Sequence, residues 1–186
     1  MAQTPFLLAG RERVGALLDL LAGRLAAAVP GDLALVGVVR RGDAIARELA
    51  ARLERLAGRR PPVGEVRLAR YADDLTLVHR ETRLEERELP FPVAGARLVL
   101  VDDVLYSGRS LLRAAQHFLD AGAAEVRVAV LVDRGGREVP LAADAAALRL
   151  EVGPENQVEV QVPPYEDDWA VWIRERGRPS GGRASA

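Results

Sequence analysis

The stretch RLVLVDDVLYSGRSLL, from Arg97 to Leu112, decides the fold and locates the candidate site. A short apolar run ends in two adjacent acids, Asp102 and Asp103, and a polar loop leads from them into a helix-like segment. A continuous apolar run of this length is typical of a strand that is covered on both faces of a parallel sheet. The acids then lie at the end of a buried strand, where alternation predicts that they point to opposite sides.

The loop after the two acids has the composition of a phosphate site. Ser107, Gly108 and Ser110 lie at the predicted start of a helix, where backbone N–H groups and the helix dipole favour an anion. Glycine lets the backbone approach that anion closely, and the hydroxyls add donors. A loop for a phosphate beside acids for hydroxyls or a metal ion fits a sugar phosphate as ligand.

Two other interpretations of these residues stay open at this point. A Ser-Gly pair between a strand and a helix is also a common helix start in α/β proteins, with the serine as N-cap. Acids at strand ends also occur in phospho-accepting receiver domains. Such domains usually have an acidic pair near the start of the chain and a lysine later, and this chain has no lysine.

The rest of the chain alternates between strand and helix patterns. Apolar runs predict buried strands at 33–39, 98–101 and 126–133, and helical spacing of apolar residues predicts helices over 10–29, 43–57 and 110–122. Alternating patterns predict further strands at 63–71, 158–162 and 169–173, the last two as a late hairpin, and a long loop or flexible hairpin at 72–90. This order predicts an α/β fold with a mostly parallel central sheet flanked by helices.

Three polar segments follow predicted buried strands, at 40–43, 102–110 and 133–137. Ligands of open α/β sheets bind beyond the carboxyl ends of the strands. We therefore expect these segments to lie together on one rim of the sheet.

The composition limits the function classes. The chain has 186 residues, no cysteine and a net charge of -1, and every basic residue is arginine. Thiol nucleophiles, zinc–thiolate sites and Schiff-base lysines are therefore excluded, and a chain that coats nucleic acid non-specifically is disfavoured. We expect a single domain over residues 1–176, a disordered tail over 177–186, no membrane span and a cytoplasmic location.

The string VDDVLYSGRS (101–110) closely resembles the phosphoribosyl-pyrophosphate (PRPP) loop of type I phosphoribosyltransferases. Within that superfamily it is most similar to VDDVLYTGRT, the form typical of the PyrR family of pyrimidine operon attenuation regulators and uracil phosphoribosyltransferases. Three more segments resemble that family in order and spacing: LALVGVVRRGDAIA (33–46), YADDLT (71–76) and LVDRGGREVPLAAD (131–144). The resemblance covers roughly residues 10–175.

The resemblance implies a type I phosphoribosyltransferase fold, with a small hood beside the main sheet, and a role for each motif. Asp102 and Asp103 would bind the ribose hydroxyls of PRPP, directly or through Mg²⁺. The 5′-phosphate would be held by Val104, Leu105, Tyr106, Ser107, Gly108, Arg109 and Ser110. The pyrophosphate would be held by Arg40, Arg41 and Gly42, at a strained or cis peptide bond. A flexible loop with Asp73, Asp74, Arg80 and Arg83 would close over the reaction, and the base would meet Val132, Asp133 and Arg134.

The implied reaction is uracil plus PRPP giving UMP and pyrophosphate, with magnesium, in an enzyme that self-associates as a dimer or higher oligomer. The implied link to pyrimidine regulation brings a pyrimidine leader RNA as a further partner. The chain departs from the family at the region implied to bind RNA, because Gly136, Ala142 and Leu148 replace basic residues and only Arg137 remains. Two alternatives follow: an RNA-binding attenuator that senses UMP or PRPP with residual catalysis, and a phosphoribosyltransferase for another base.

Overall fold

The computed structural model describes residues 5–28, 32–70 and 82–176, with 68–70 and 82–88 as backbone only. The predicted residues Asp73, Asp74 and Arg80 and the tail 177–186 lie outside this part of the chain, as does the side chain of Arg83. The elements in chain order are β1 Phe6–Ala9, α1 Arg11–Ala28, β2 Ala34–Val39, α2 Gly42–Ala57, β3 Val63–Arg70, β4 Thr82–Glu88, β5 Arg97–Leu105, α3 Arg109–Asp120, β6 Glu125–Asp133, β7 Ala145–Arg149, β8 Asn156–Gln161 and β9 Ala170–Glu175.

The main sheet has six strands in the order β4-β3-β2-β5-β6-β7. All neighbouring pairs are parallel except β3 with β4, which form an antiparallel edge. This confirms the prediction of an α/β fold with a mostly parallel central sheet. A second sheet, β1-β9-β8, is antiparallel and contains the predicted late hairpin.

Alternating side chains of the central strands enter two separate cores. Leu35 of β2 and Val99 of β5 belong to the core beneath α1 and α2, which the second sheet also joins through Val160 and Val171. Their neighbours Val36 and Leu100 belong to the core beneath α3. Helices therefore cover the parallel sheet on both faces, which explains why its strands read as continuous apolar runs.

The chain changes direction across the sheet between β2 and β5. The connection through α2 leads from β2 to β3 on one side, and the connection through α3 leads from β5 to β6 on the other. The loops that leave β2 and β5 therefore separate, and a crevice opens between them at the carboxyl ends of the strands. The predicted 40–43 and 102–110 segments are these two loops.

The boundaries differ from the predictions in three places. β5 extends to Leu105 rather than ending at residue 101, because Asp102 and Val104 continue the pairing with β6. β7 was not predicted, since its sequence AAALR is mostly alanine, a residue depleted in strands. β1 was not predicted either, because four residues carry too little periodicity. No helix in the described part of the chain is long and apolar enough to cross a membrane.

Candidate active site

The three predicted segments meet on the rim above β2, β5 and β6. The backbone N–H of Arg134 donates to the Leu105 carbonyl at 3.1 Å, and the N–H of Glu138 donates to the Ser107 carbonyl at 3.0 Å. These bonds join the 102–110 segment to the 133–138 segment. Arg41 reaches the same place from β2, with its Nη1 3.6 Å from Asp103 Oδ2.

The two adjacent acids form an electrostatically strained pair. Asp102 Oδ1 accepts the N–H of Asp103 at 2.9 Å, and Asp103 Oδ1 accepts the N–H of Val104 at 2.8 Å. These local bonds tie each carboxyl group to the N–H of the residue that follows it. Burial, and then repulsion by Asp103, raise the pKa of Asp102 well above its usual value.

Asp103 is the acid of the pair that faces Arg41. Burial raises the pKa of Asp103 as well, but the nearby guanidinium of Arg41 opposes that rise. The Asp103 side chain is 17% exposed, so one carboxylate of the pair remains open to a ligand. The pair is thus prepared for a partner that supplies positive charge or hydroxyl donors.

The loop after β5 leads into the start of α3. Gly108, with φ of 78°, is the N-cap, and α3 begins at Arg109, so the prediction of serine as N-cap is wrong. The Ser107 Oγ accepts the Arg109 N–H only at a long 3.4 Å. The first turn, RSLL, contains no acid that would occupy the free N–H groups. This helix start is therefore available to an anion.

The loop after β2 has an unusual backbone. The peptide bond between Val39 and Arg40 is cis, as the resemblance implied, and Arg41 has φ 75° and ψ -46°, a region that side chains rarely adopt. A Cβ on Gly42 would lie 2.3 Å from the Val101 carbonyl oxygen. Only glycine therefore lets the start of α2 lie against the end of β5, directly beside Asp102.

The side chains of Arg40 and Arg41 contact residues that the sequence did not single out. Arg41 pairs with Glu166, whose Oε1 lies 2.6 Å from Nη2, and the Arg40 guanidinium lies 5.1 Å from the centre of the Tyr165 ring. This hydrogen bond lowers the pKa of Glu166 and raises the pKa of Arg41. Both partners come from the connection between β8 and β9, which the sequence predicted only as a hairpin loop.

The segment predicted to meet the base is largely buried. Val132 lies in the core, so only its backbone groups are available to a ligand, and the same holds for Leu105 of the predicted PRPP loop. Asp133 is 4% exposed and pairs with Arg137. It also accepts the Gly135 N–H at 3.3 Å, so it mainly organises its own loop.

Arg134 and Tyr106 form a stacked pair between the two loops. The guanidinium of Arg134 lies 4.1 Å from the centre of the Tyr106 ring, and its Nη2 donates to the Val152 carbonyl at 3.4 Å. Gly136 makes room for this ring, because a Cβ there would lie 2.7 Å from Tyr106 Cε2. The glycine that replaces the family's histidine is thus in contact with the predicted PRPP loop.

A cavity of about 520 Å³ lies beyond the ends of β6 and β7. Its lining includes Asp133, Gly135, Arg149 and Leu150. It borders the predicted base segment and is large enough for a pyrimidine ring.

Among the described residues, no cluster of three or more His, Asp or Glu side chains could enclose a metal ion. Asp102 and Asp103 therefore offer two carboxylates and no complete cage. Mg²⁺ suits such an incomplete set, because it retains water and takes substrate oxygens as ligands. The pair fits Mg²⁺ that arrives with a phosphorylated substrate.

Comparisons with known proteins agree with this geometry. The phosphoribosyl transferase domain family matches residues 13–168. A protein of Pelotomaculum thermopropionicum named bifunctional protein PyrR is 38% identical over 146 residues, which cover 78% of this chain and 81% of that protein. Its namesake in Deinococcus radiodurans is 40% identical over 132 residues, covering 70% of this chain and 72% of the relative.

The fold of this chain is also similar to those of solved structures. The hypoxanthine phosphoribosyltransferase of Trypanosoma cruzi superposes with a TM-score of 0.71 at 17% identity, over 94% of this chain and 98% of that one. A point mutant of that enzyme, in a ternary substrates complex, gives a TM-score of 0.72 at 18% identity, over 91% of this chain and 94% of the other. The predicted type I phosphoribosyltransferase fold and the predicted family are thus confirmed: the chain belongs to the phosphoribosyl transferase domain family and, within it, to the PyrR family.

Proposed function

We propose that this member of the PyrR family transfers the phosphoribosyl group of PRPP to uracil, giving UMP and pyrophosphate. The observation that carries the proposal is the pair Asp102 and Asp103 between two anion loops, at the crevice between β2 and β5. PRPP has a ribose ring between a phosphate and a pyrophosphate. A site for PRPP therefore needs groups that bind the ribose hydroxyls between two loops that bind anions.

Each part of the site takes one part of PRPP in this proposal. The 5′-phosphate binds at the start of α3, to the N–H groups of the loop and the hydroxyls of Ser107 and Ser110. The ribose hydroxyls face Asp102 and Asp103. The pyrophosphate lies by Arg40 and Arg41, whose guanidinium groups suit phosphate oxygens.

The chemistry is a displacement at the anomeric carbon of the ribose. The bond from that carbon to the pyrophosphate oxygen breaks, a bond to the base nitrogen forms, and the base loses the proton from that nitrogen. Positive charge develops on the ribose, close to the carboxylates, while Arg41 compensates the charge that the leaving pyrophosphate gains. Most of the catalysis is therefore positioning and charge compensation.

Magnesium is the cofactor that we propose, with Asp102 and Asp103 as the residues that hold it, directly or through water. When bound, it would neutralise pyrophosphate and ribose oxygens. The raised pKa of Asp102 supports this assignment, because burial and the charge of Asp103 make a cation favourable there.

The base lies beside the loop after β6 in our proposal, in or next to the cavity lined by Asp133 and Leu150. We take uracil rather than a purine as the base because the relatives carry the PyrR name.

A second candidate function is binding of a pyrimidine leader RNA, which the word bifunctional in the relatives' name supports. The described residues favour the enzyme over this role. Gly136, Ala142 and Leu148 carry no charge, and Arg137 is neutralised by buried Asp133. Fewer free cations release fewer counterions, so we expect weak RNA binding with a shallow dependence on salt concentration.

The experiment that tests the enzyme is release of pyrophosphate from PRPP and Mg²⁺ with uracil, hypoxanthine, adenine, guanine, xanthine and orotate supplied separately. We expect release with uracil. Release only with another base would show that the enzyme uses that base instead of uracil. Binding of PRPP or UMP without release in any assay would favour the sensor. Sedimentation of the same sample tests the self-association that the resemblance implies.

A further inference from the structure

The connection between β8 and β9 reaches across to the loop that we assign to pyrophosphate. Glu166 in this connection pairs with Arg41 through two nitrogens: Nη2 lies 2.6 Å from Oε1, and Nε lies 3.2 Å from Oε1 and 3.3 Å from Oε2. The same carboxylate accepts the backbone N–H of Val162 at 2.8 Å. Glu166 is therefore fixed to its own loop at one side and to Arg41 at the other.

The neighbouring residue makes a parallel contact. The ring of Tyr165 lies under the Arg40 guanidinium, and its hydroxyl donates to Asp43 Oδ2 at 2.6 Å. Asp43 is 3% exposed and stands in the first turn of α2, where Arg47 also pairs with it at 3.1 Å. Two adjacent residues of the connection between β8 and β9 thus contact both arginines and the helix that follows them.

The pairing with Glu166 fixes the direction of the Arg41 guanidinium. One edge of that group, Nε with Nη2, is occupied by Glu166. The remaining nitrogen, Nη1, is the one that lies 3.6 Å from Asp103, on the site side. The positive φ of Arg41 is costly for a residue with a side chain, so this orientation depends on contacts from outside the loop.

We propose that Glu166 is a positioning residue for the pyrophosphate group. It holds Arg41 with one nitrogen directed at the site before PRPP binds, and Tyr165 holds Arg40 in the same way. This inference rests on the proposed function, in which Arg40 and Arg41 bind pyrophosphate. It adds that the second sheet sets the affinity for that group, because a side chain already held in place loses less freedom on binding.

Removal of Glu166 changes the affinity for an anion in opposite directions, depending on whether Glu166 positions Arg41 or only neutralises its charge. If Glu166 only neutralised Arg41, its removal would strengthen binding of an anion. If Glu166 positions Arg41, its removal weakens that binding, because the long side chain must then be ordered by the ligand. A charge-removing variant of the same shape, Glu166→Gln, separates them.

The first experiment is calorimetric titration of magnesium pyrophosphate into the wild-type protein, Glu166→Gln and Asp167→Asn. The Asp167→Asn variant is the matched control, since it removes the same charge one residue away from an exposed side chain. We expect about tenfold weaker binding for Glu166→Gln, as for loss of one charged hydrogen bond, and a change of less than about twofold for Asp167→Asn. Unchanged or tighter binding by Glu166→Gln would overturn the proposal.

The kinetic counterpart separates positioning from a general structural role. In Glu166→Gln the KM for PRPP and the inhibition constant of pyrophosphate should rise together, while the KM for the base stays within about twofold of wild type. Glu166→Asp keeps the charge and should recover part of the loss. An equal rise of the KM for the base would show general damage and contradict the proposal.

Two further variants cover the case in which Glu166→Gln does not fold. Tyr165→Leu removes the ring under Arg40, and Glu166→Asp keeps the charge at a shorter reach. Weaker pyrophosphate binding by both, with the base KM unchanged, supports the proposal, and wild-type binding by both refutes it. If the wild-type protein binds pyrophosphate but makes no nucleotide, the proposed function fails while this inference is still decided by the titrations.

Discussion

The two anion loops of the site both connect a parallel strand to a helix, yet they are held in different ways. The loop after β5 is held mainly by backbone bonds, from Arg134 to the Leu105 carbonyl and from Glu138 to the Ser107 carbonyl, with stacking of Tyr106 on Arg134 beside them. The loop after β2, to which we assign the pyrophosphate, is held by charged and aromatic side chains of the connection between β8 and β9, Glu166 and Tyr165.

This difference suits the two groups that the loops would bind. The 5′-phosphate stays attached to the ribose throughout the reaction, so a rigid backbone site is sufficient for it. The pyrophosphate would gain charge and leave. Long side chains suit it as partners, because they can exchange their hydrogen bonds to the pyrophosphate for bonds to other groups. Asp103 lies where the two regions meet, 3.6 Å from Arg41.

The largest effect is expected at this meeting point. Asp103→Asn removes the carboxylate that faces Arg41 and that we propose binds the ribose, and we expect UMP formation to fall by about a hundredfold or more, as for loss of one preorganised charge partner. The chain should still fold, since repulsion with Asp102 is relieved. Initial rates and thermal unfolding measure both quantities. Activity like that of wild type would remove the central assignment of the site.

The two loops also differ in what their glycines do. A Cβ on Gly42 would lie 2.3 Å from a backbone oxygen, which cannot move aside, whereas a Cβ on Gly108 would meet the Val139 side chain at 3.0 Å. We expect Gly42→Ala to lower the free energy of unfolding by about 2–3 kcal/mol. Gly108→Ala should cost about 1–2 kcal/mol, mainly for its φ of 78°.

Chemical denaturation of these two variants measures the difference. Gly23→Ala serves as the control, because a Cβ there has nothing within 4 Å and α1 would gain helix propensity. Equal losses at Gly42 and Gly108 would show that the start of α2 can move away from β5, and the contrast between the loops would be lost.

The same contrast separates what the sequence could predict from what it could not. The phosphate loop is a continuous string in which strand, acids, hydroxyls, glycine and helix follow one another, and each local pattern predicts its own part. The pairing of Arg41 with Glu166 joins positions 125 residues apart, and neither residue carries a local signal of it. PPYEDD therefore predicted a hairpin connection and nothing about the site.

The strands show a similar division. Buried strands such as β6 were predicted because apolar side chains are needed on both faces of the sheet. β7 pairs with β6 and consists mostly of small residues. Packing of α1 against it stabilises the strand, whereas its own side chains give only a weak local pattern.

A smaller effect is expected for a hydroxyl in the phosphate loop. Ser107→Ala removes a hydroxyl that we propose donates to the 5′-phosphate, but it leaves the backbone carbonyl, which accepts the Glu138 N–H. We expect the KM for PRPP to rise about tenfold and the melting temperature to change by less than about 2 °C. A clear loss of stability would show that this loop, like the pyrophosphate loop, depends on its side chains.

The smallest effect concerns the pH dependence of the Glu166–Arg41 pair. The hydrogen bond from Arg41 lowers the pKa of folded Glu166 below its value of about 4.5 in an unfolded chain. The unfolded state then binds the proton more readily, so the pair stabilises the fold fully above that pH and loses its contribution as the pH falls through the lower pKa. Glu166→Gln should therefore be less stable than wild type by about 1 kcal/mol near neutral pH.

Thermal unfolding of wild type and Glu166→Gln between about pH 3 and 7 measures this dependence. The difference in melting temperature should be constant down to about pH 5 and shrink below it, because protonated Glu166 resembles glutamine in charge. Asp167→Asn should track wild type throughout. A difference that stays constant to the lowest pH would mean that shape rather than charge joins the second sheet to the pyrophosphate loop, and the two loops would then differ less than their contacts indicate.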